Sequence, residues 1–135
     1  MKAFRNELTN HSEAEQLKFV AEYWSRAPIS TMAYDPEKLN ELPTPWEMMC
    51  NNDWCRNSLA IGMEFTLRLI GWAPERMTIR YIKDYDISDQ TLILEIDEKT
   101  WLNYDYGMAV NKPNTKHVML ESWRFTGKFY KIIIE

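Results

Sequence analysis

Two stretches of sequence decide the fold: CRNSLAIGMEFTLRLIGWAPERMTIRYI at residues 55–82 and QTLILEIDEKTWLNYD at residues 90–105. Within the first stretch, apolar residues recur at helical spacing, which predicts a helix from Trp54 to about Ile70. Gly71 follows directly and is typical of the residue that ends a helix. The pattern then changes from the helical period to alternation, so we expect the main helix to lead into a sheet.

Alternating apolar residues predict several strands after this helix. Polar turns separate them, and GMAVNKPNT (107–115) is expected to be a loop. The predicted strands are MTIRYIK (77–83), TLILEID (91–97), TWLNYD (100–105), HVMLESWRF (117–125) and KFYKIII (128–134). Short turns between successive strands favour antiparallel pairing.

Upstream of the main helix, Ser12 and Glu15 have the spacing of a capping box and predict a first helix that extends to about Trp24. We expect a single domain over residues 1–135, with an N-terminal helix and loop in 1–42 and a helix with an antiparallel sheet in 43–135. Helices followed by a run of strands indicate an α+β fold, with the helices packed on the sheet.

The composition is that of an ordinary folded protein. Of 135 residues, 45% are hydrophobic and 27% charged, and the net charge is −4, which excludes a disordered chain and argues against a nucleic-acid partner. The cations Arg76, Arg80 and Lys83 are interpreted as a solvated face. No apolar run is long enough for a membrane helix, and no signal peptide is visible, so we expect a cytoplasmic protein with no membrane partner.

Cys55 is the candidate reactive residue because it lies in the first turn of the main helix. Unpaired backbone N–H groups at a helix start stabilise an anion, and this lowers the pKa of a thiol there. A thiolate is the nucleophilic form of cysteine. The alternative is a small buried side chain, and the position alone does not separate the two.

The order of these features resembles the transglutaminase-like branch of the papain-like cysteine enzymes. That family has a Cys at the start of a helix, a Gly-containing turn into a strand, a strand that opens with the catalytic His, and a strand carrying Trp and then the catalytic Asp. In this sequence Cys55 matches the nucleophile, while Trp101 and Asp105 match the Trp and the Asp. PTPWEMM (43–49) resembles the helix that precedes the Cys, and the resemblance covers residues 43–105.

The sequence departs from the family at the base. The register of the resemblance places Gln90 where the catalytic His belongs, and an amide has no titratable group with which to accept a proton at neutral pH. The implied triad of Cys55, Gln90 and Asp105 therefore lacks its base. His117, which opens a later strand, is a candidate substitute, although a solvated strand end is the alternative interpretation.

Two functions follow from the resemblance. The first is a non-catalytic domain that binds a protein or peptide through the old active-site groove; the second is a thiol hydrolase or acyl transferase that uses Cys55 with His117 as base. Neither requires a cofactor or a metal, and the oligomeric state stays open. The composition would also suit a phage accessory protein. Aromatic residues are enriched at interface anchors, and the candidates to line the groove are Trp46, Trp54, Trp72, Trp101 and Tyr104.

Overall fold

The computed structural model describes residues 10–26, 56–85, 89–105, 107–114, 117–127 and 130–133. Within these ranges the chain forms two α-helices, a short 3₁₀ helix and a six-stranded sheet. The elements are α1 (Glu13–Ser25), α2 (Arg56–Leu69), the 3₁₀ helix (Pro74–Arg76), β1 (Met77–Asp84), β2 (Asp89–Ile96), β3 (Thr100–Leu102), β4 (Ala109–Asn111), β5 (His117–Phe125) and β6 (Tyr130–Ile132). The predicted α+β class is confirmed.

The sheet is antiparallel throughout the described strands, in the order β4-β3-β2-β1-β5-β6. β1 and β2 lie at its centre and pair along their whole lengths, from Met77 opposite Ile96 to Asp84 opposite Asp89. Because paired residues point to the same side, Ile79 and Leu94 share one face, and both belong to the core cluster that includes the helices. The helices therefore cover one face of the sheet.

The first helix begins where the sequence predicts. Ser12 is its N-cap, and the Ser12 hydroxyl accepts a hydrogen bond from the backbone N–H of Glu15 at 3.3 Å. The Glu15 carboxylate contacts Nδ1 of His11 at 2.7 Å. One side of the helix is buried, with Leu17, Val20, Ala21 and Trp24 in the core. The predicted start of the first helix at the Ser12 cap is confirmed.

The two helices meet at Gly62. A Cβ placed on this residue would lie 2.8 Å from two carbon atoms of the Trp24 indole, so only glycine lets the ring approach the backbone of α2 this closely. The indole N–H donates to the Thr66 hydroxyl at 2.9 Å, and that hydroxyl donates to the carbonyl of Gly62 at 2.9 Å. The buried Trp24 nitrogen is thereby satisfied, and the hydrogen bonds fix where α1 lies along α2.

Arg76 joins three elements at the end of the sheet where β1 begins. Its guanidinium contacts the carboxylates of Glu13 in α1 and Asp97 in the β2–β3 turn, each at 2.7 Å. It also lies over the Trp72 ring, 4.2 Å from the centroid. Hydrogen bonds from Arg76 are the main cause that lowers the pKa of both Glu13 and Asp97. This contact ties the start of α1 to the sheet.

The sheet differs from the predicted one at its short strands. β4 lies within the stretch 107–115 that is predicted to be a loop, and it pairs with β3 through Trp101 opposite Val110. Three residues are too few to show alternation, so backbone pairing with a neighbour decides this strand. β3 ends at Leu102 because Asn103 takes a left-handed backbone, with φ 67°.

Gly62→Ala is expected to lower the free energy of unfolding by about 1–3 kcal/mol, although alanine is the better helix former, because the new methyl overlaps the Trp24 ring. Urea denaturation measures the loss. The control is the same substitution in a Trp24→Phe background, where part of the bicyclic ring is gone. An equal loss in both backgrounds would show that the ring is not what requires glycine.

Arg76→Gln is expected to lower stability at pH 7 by about 1–2 kcal/mol, because it removes two carboxylate contacts and a cation–π contact. Carboxylates with a lowered pKa stabilise the fold above their ordinary values, here 4.5 for Glu13 and 3.8 for Asp97, and lose that effect as the pH falls below them. The gap between the two proteins should therefore narrow from pH 7 to about pH 3 in urea titrations. Exposed Lys18, changed to Gln, is the control, and a gap that widens in acid would contradict the assignment.

Candidate functional site

Three of the four predicted catalytic residues lie at one end of the sheet. β1 ends at this end of the sheet, and β2 and β5 begin there. The segment that follows β3 lies at the same end. In register, Gln90 pairs with Lys83 and His117 pairs with Asp84. We call this region, with residues 81–84, 90, 103–105 and 117, the catalytic-like end. Cys55, the predicted nucleophile, lies outside the described residues.

Gln90 lies on the helix-covered side of the catalytic-like end. The Tyr81 hydroxyl donates to its amide oxygen at 2.6 Å, and Tyr81 packs against the core that contains both helices. This hydrogen bond fixes the orientation of the Gln90 amide, although the side chain is exposed. An amide held in this way can orient or donate to a ligand, but it does not take up a proton at neutral pH.

Asp105 is exposed in the bend that follows β3, and two neighbouring side chains anchor that bend. The amide of Asn103 donates to the carbonyl of Leu92 at 2.8 Å. The Tyr104 hydroxyl donates to a carboxylate oxygen of Asp84 at 2.5 Å. The first contact ties the bend to β2 and the second to β1, so the backbone of Asp105 is held against the two central strands.

His117 is on the opposite side of the sheet from Gln90. Adjacent residues of a strand point to opposite faces, so the Asp84–His117 pair faces away from the Lys83–Gln90 pair. The His117 ring packs edge-on against Trp101, with 5.1 Å between centroids. The sheet therefore separates the two side chains that the sequence offers for the position of the base.

The aromatic residues predicted to line a groove differ in where the structure places them. Trp72 and Trp101 are 6% and 0% exposed, and both belong to the hydrophobic core. The prediction that they line a binding groove is not supported, since side chains with so little exposed surface offer a partner almost no contact. Tyr104 is half-buried at the catalytic-like end. Trp46 and Trp54 lie outside the described residues.

The other face of the sheet carries a buried ion pair that the sequence analysis missed. Arg80 is only 7% exposed, and its Nε lies 3.0 Å from a carboxylate oxygen of Glu95. Glu95 also accepts from the Trp101 indole N–H at 2.8 Å, and Arg80 donates to the hydroxyl of Ser122 at 2.9 Å. The interpretation of Arg80 as part of a solvated face is therefore wrong. A strand that alternates polar and apolar residues does not reveal that both faces are covered.

No family model matches the sequence, and no curated protein matches it. Among solved structures, the calcium-bound form of Legionella pneumophila LapG is similar, with a TM-score of 0.72 and 16% identity over 96% of this chain and 74% of that one. The EGTA-treated form of LapG gives a TM-score of 0.71 with 16% identity, over 98% of this chain and 74% of that one. The fold is transglutaminase-like. At this identity the likeness concerns the fold alone, and it confirms the fold that the resemblance implied.

The residues described here contain no group of three or more His, Cys, Asp or Glu that could hold a metal ion. None of the described helices is long and apolar enough to cross a membrane.

Tyr104→Phe is expected to lower the free energy of unfolding by about 1–3 kcal/mol, because it removes a donor from the fully buried Asp84 carboxylate. The matched control is Tyr81→Phe, which removes a hydroxyl that serves the exposed Gln90 and should cost under about 1 kcal/mol. Chemical denaturation of the two variants gives the comparison. Equal losses would mean that the Asp84 contact does not anchor the bend.

Proposed function

We propose that this chain is a transglutaminase-like domain that binds a protein or peptide segment at the catalytic-like end without catalysing a reaction on it. The observation that carries the proposal is the hydrogen bond that orients the Gln90 amide, which the Tyr81 hydroxyl donates at 2.6 Å; the resemblance assigns Gln90 to the position of the base. A cysteine nucleophile needs a group that removes its proton or stabilises its thiolate. An amide does neither, but it can hydrogen-bond to the backbone of an extended peptide.

The orientation of α2 supports placing the start of this helix at the end of the sheet that contains Gln90. Only residues 70–76 connect α2 to β1, so the last turn of α2 lies near the start of β1, which is also where β2 ends. α2 packs against β2, and Arg68 in its last turn lies 3.5 Å from the centroid of the Phe125 ring, at the end of the sheet opposite Gln90. Cys55 immediately precedes the first described residue of α2. We therefore expect the start of α2 to lie at the end of the sheet that contains Gln90 and Asp105.

Neither histidine of the chain favours the thiol hydrolase alternative. His11 contacts the Glu15 carboxylate at the start of α1. His117 is on the face of the sheet opposite Gln90, against Trp101. A substitute base has to reach the thiol directly or through one water, and a side chain across the sheet does not meet that requirement. We therefore propose binding as the function, and His117 is not part of the proposed site.

The substitution Gln90→His tests the reconstructed site. In a Cys50→Ser background, which leaves one thiol, we expect the wild-type Cys55 to react with iodoacetamide at pH 7 no faster than a thiol whose pKa is lowered by a helix start alone. Gln90→His should raise that rate by about tenfold, because an imidazolium nearby stabilises the thiolate. Adding Asp105→Ala should remove most of the gain, because nothing then orients the imidazole.

Two results would contradict this arrangement. If the wild-type thiol already reacts fully as a thiolate near pH 6, beyond what a helix start supplies, a base or cation stabilises it and the non-catalytic proposal is wrong. If Gln90→His leaves the alkylation rate unchanged while the protein remains folded by circular dichroism, Cys55 and Gln90 are not neighbours. The second result removes the site as we have placed it.

Binding is tested with an array of N-acetylated, C-amidated decapeptides. We expect the wild type to retain a subset of the peptides intact, Cys55→Ser to retain the same subset, and Gln90→Ala to lose it. The control is Glu98→Gln, an exposed turn residue at the other end of the sheet. Cleavage of array peptides by the wild type, or no retained peptide, would overturn the proposal.

A further inference from the structure

At the end of the sheet opposite the catalytic-like end, a groove contains two positively charged side chains that face each other. Arg124 in β5 and Lys131 in β6 are direct cross-strand partners. Like charges in this position destabilise a sheet. Neither residue forms an ion pair with a carboxylate in the part of the chain that the structure describes. The sheet therefore keeps an unfavourable pair, and a bound anion would offset it.

The Arg124 guanidinium is half-buried and held in place by neutral partners. Its Nη2 donates to the Thr78 hydroxyl at 3.1 Å, and its Nε lies 3.5 Å from the carbonyl oxygen of Met77. A guanidinium has five N–H donors in a planar fork, so these contacts orient the group and leave the rest of its donors for a ligand. Arg124 is thus fixed before any ligand binds, which lowers the entropy cost of binding.

The groove also has apolar residues in its lining. Its volume is about 310 Å³, and Ile133 lies on the same face as Arg124 and Lys131, since alternate residues of a strand share a face. Phe125 and the exposed Ile132 contribute from the other face of the same strands. β6 is the edge strand of the described sheet, and an edge strand offers main-chain donors and acceptors to an added strand. These features suit an extended peptide with an apolar body.

The charge balance of the groove favours a single negative charge. Glu75 also lines it, and a carboxylate at the rim repels a doubly charged phosphate more strongly than a singly charged carboxylate. A planar carboxylate also matches the fork of a guanidinium. Two cations and one anion leave a net charge of about +1, which one carboxylate neutralises.

We propose that the groove at the end of β5 and β6, lined by Arg124, Lys131 and Ile133, binds the carboxylate of an acidic, otherwise apolar peptide. The carboxylate lies between the guanidinium and the ammonium group, and an apolar side chain of the peptide contacts Ile133 on the same face of the sheet. The groove lies at the far end of the sheet from Gln90, so it is a second surface, and its test does not depend on the proposed function.

The probe is an N-acetylated, C-amidated hexapeptide of valine and threonine with one central aspartate. Binding is followed by chemical-shift changes of the backbone amides of the ¹⁵N-labelled protein. We expect the aspartate peptide to bind about tenfold more tightly than the same peptide with asparagine, and its affinity to fall as salt is added. A third peptide, with asparagine and a free C-terminus, shows whether a terminal carboxylate serves as well as a side chain.

Lys131→Gln should weaken the aspartate peptide about tenfold, and Lys18→Gln, an exposed lysine on α1, should leave its affinity unchanged. Lys131 is exposed, so this variant should fold, whereas Arg124→Gln also removes contacts to β1. Equal affinity for the aspartate and asparagine peptides would overturn the proposal. A phosphoserine peptide that binds more tightly than either carboxylate peptide would also overturn it.

Discussion

The contact between Trp24 and Gly62 is the constraint on which the arrangement of the helices depends. The indole lies against the backbone of α2 at a distance that any side chain at position 62 would prevent, and its N–H is satisfied by Thr66. Thr66 in turn donates to the carbonyl of Gly62. One buried ring therefore fixes both the separation and the register of the two helices.

That register has consequences for the sheet. α2 packs along β2 with its last turn near the start of β1, and Arg76 then connects the start of α1 to the turn after β2. On the other face, the Arg80–Glu95 pair and the Trp101 indole form a buried polar contact among apolar neighbours. Breaking such a pair leaves an uncompensated buried charge, so this contact favours one alignment of β1, β2 and β3.

The two ends of the sheet carry different functional side chains. At the catalytic-like end, Asn103 and Tyr104 anchor the bend that carries Asp105 to the two central strands, and Gln90 faces the helices. At the far end, Arg124 and Lys131 face each other on one face of the sheet, and exposed Ile132 lies on the other. The transglutaminase-like fold supplies the frame for both, and the side chains at each end decide what that frame binds.

The sequence by itself determined the α+β class, the start of α1 at its Ser12 cap and the long strands, because capping and alternation are local signals. It also predicts Gln90 at the position of the base, as the register of the resemblance implies. Only the tertiary structure decided that Arg80 is buried, that Trp72 and Trp101 belong to the core, and that His117 faces away from Gln90. These depend on which faces of the sheet are covered and on strand register, and both are set by contacts between residues far apart in the chain.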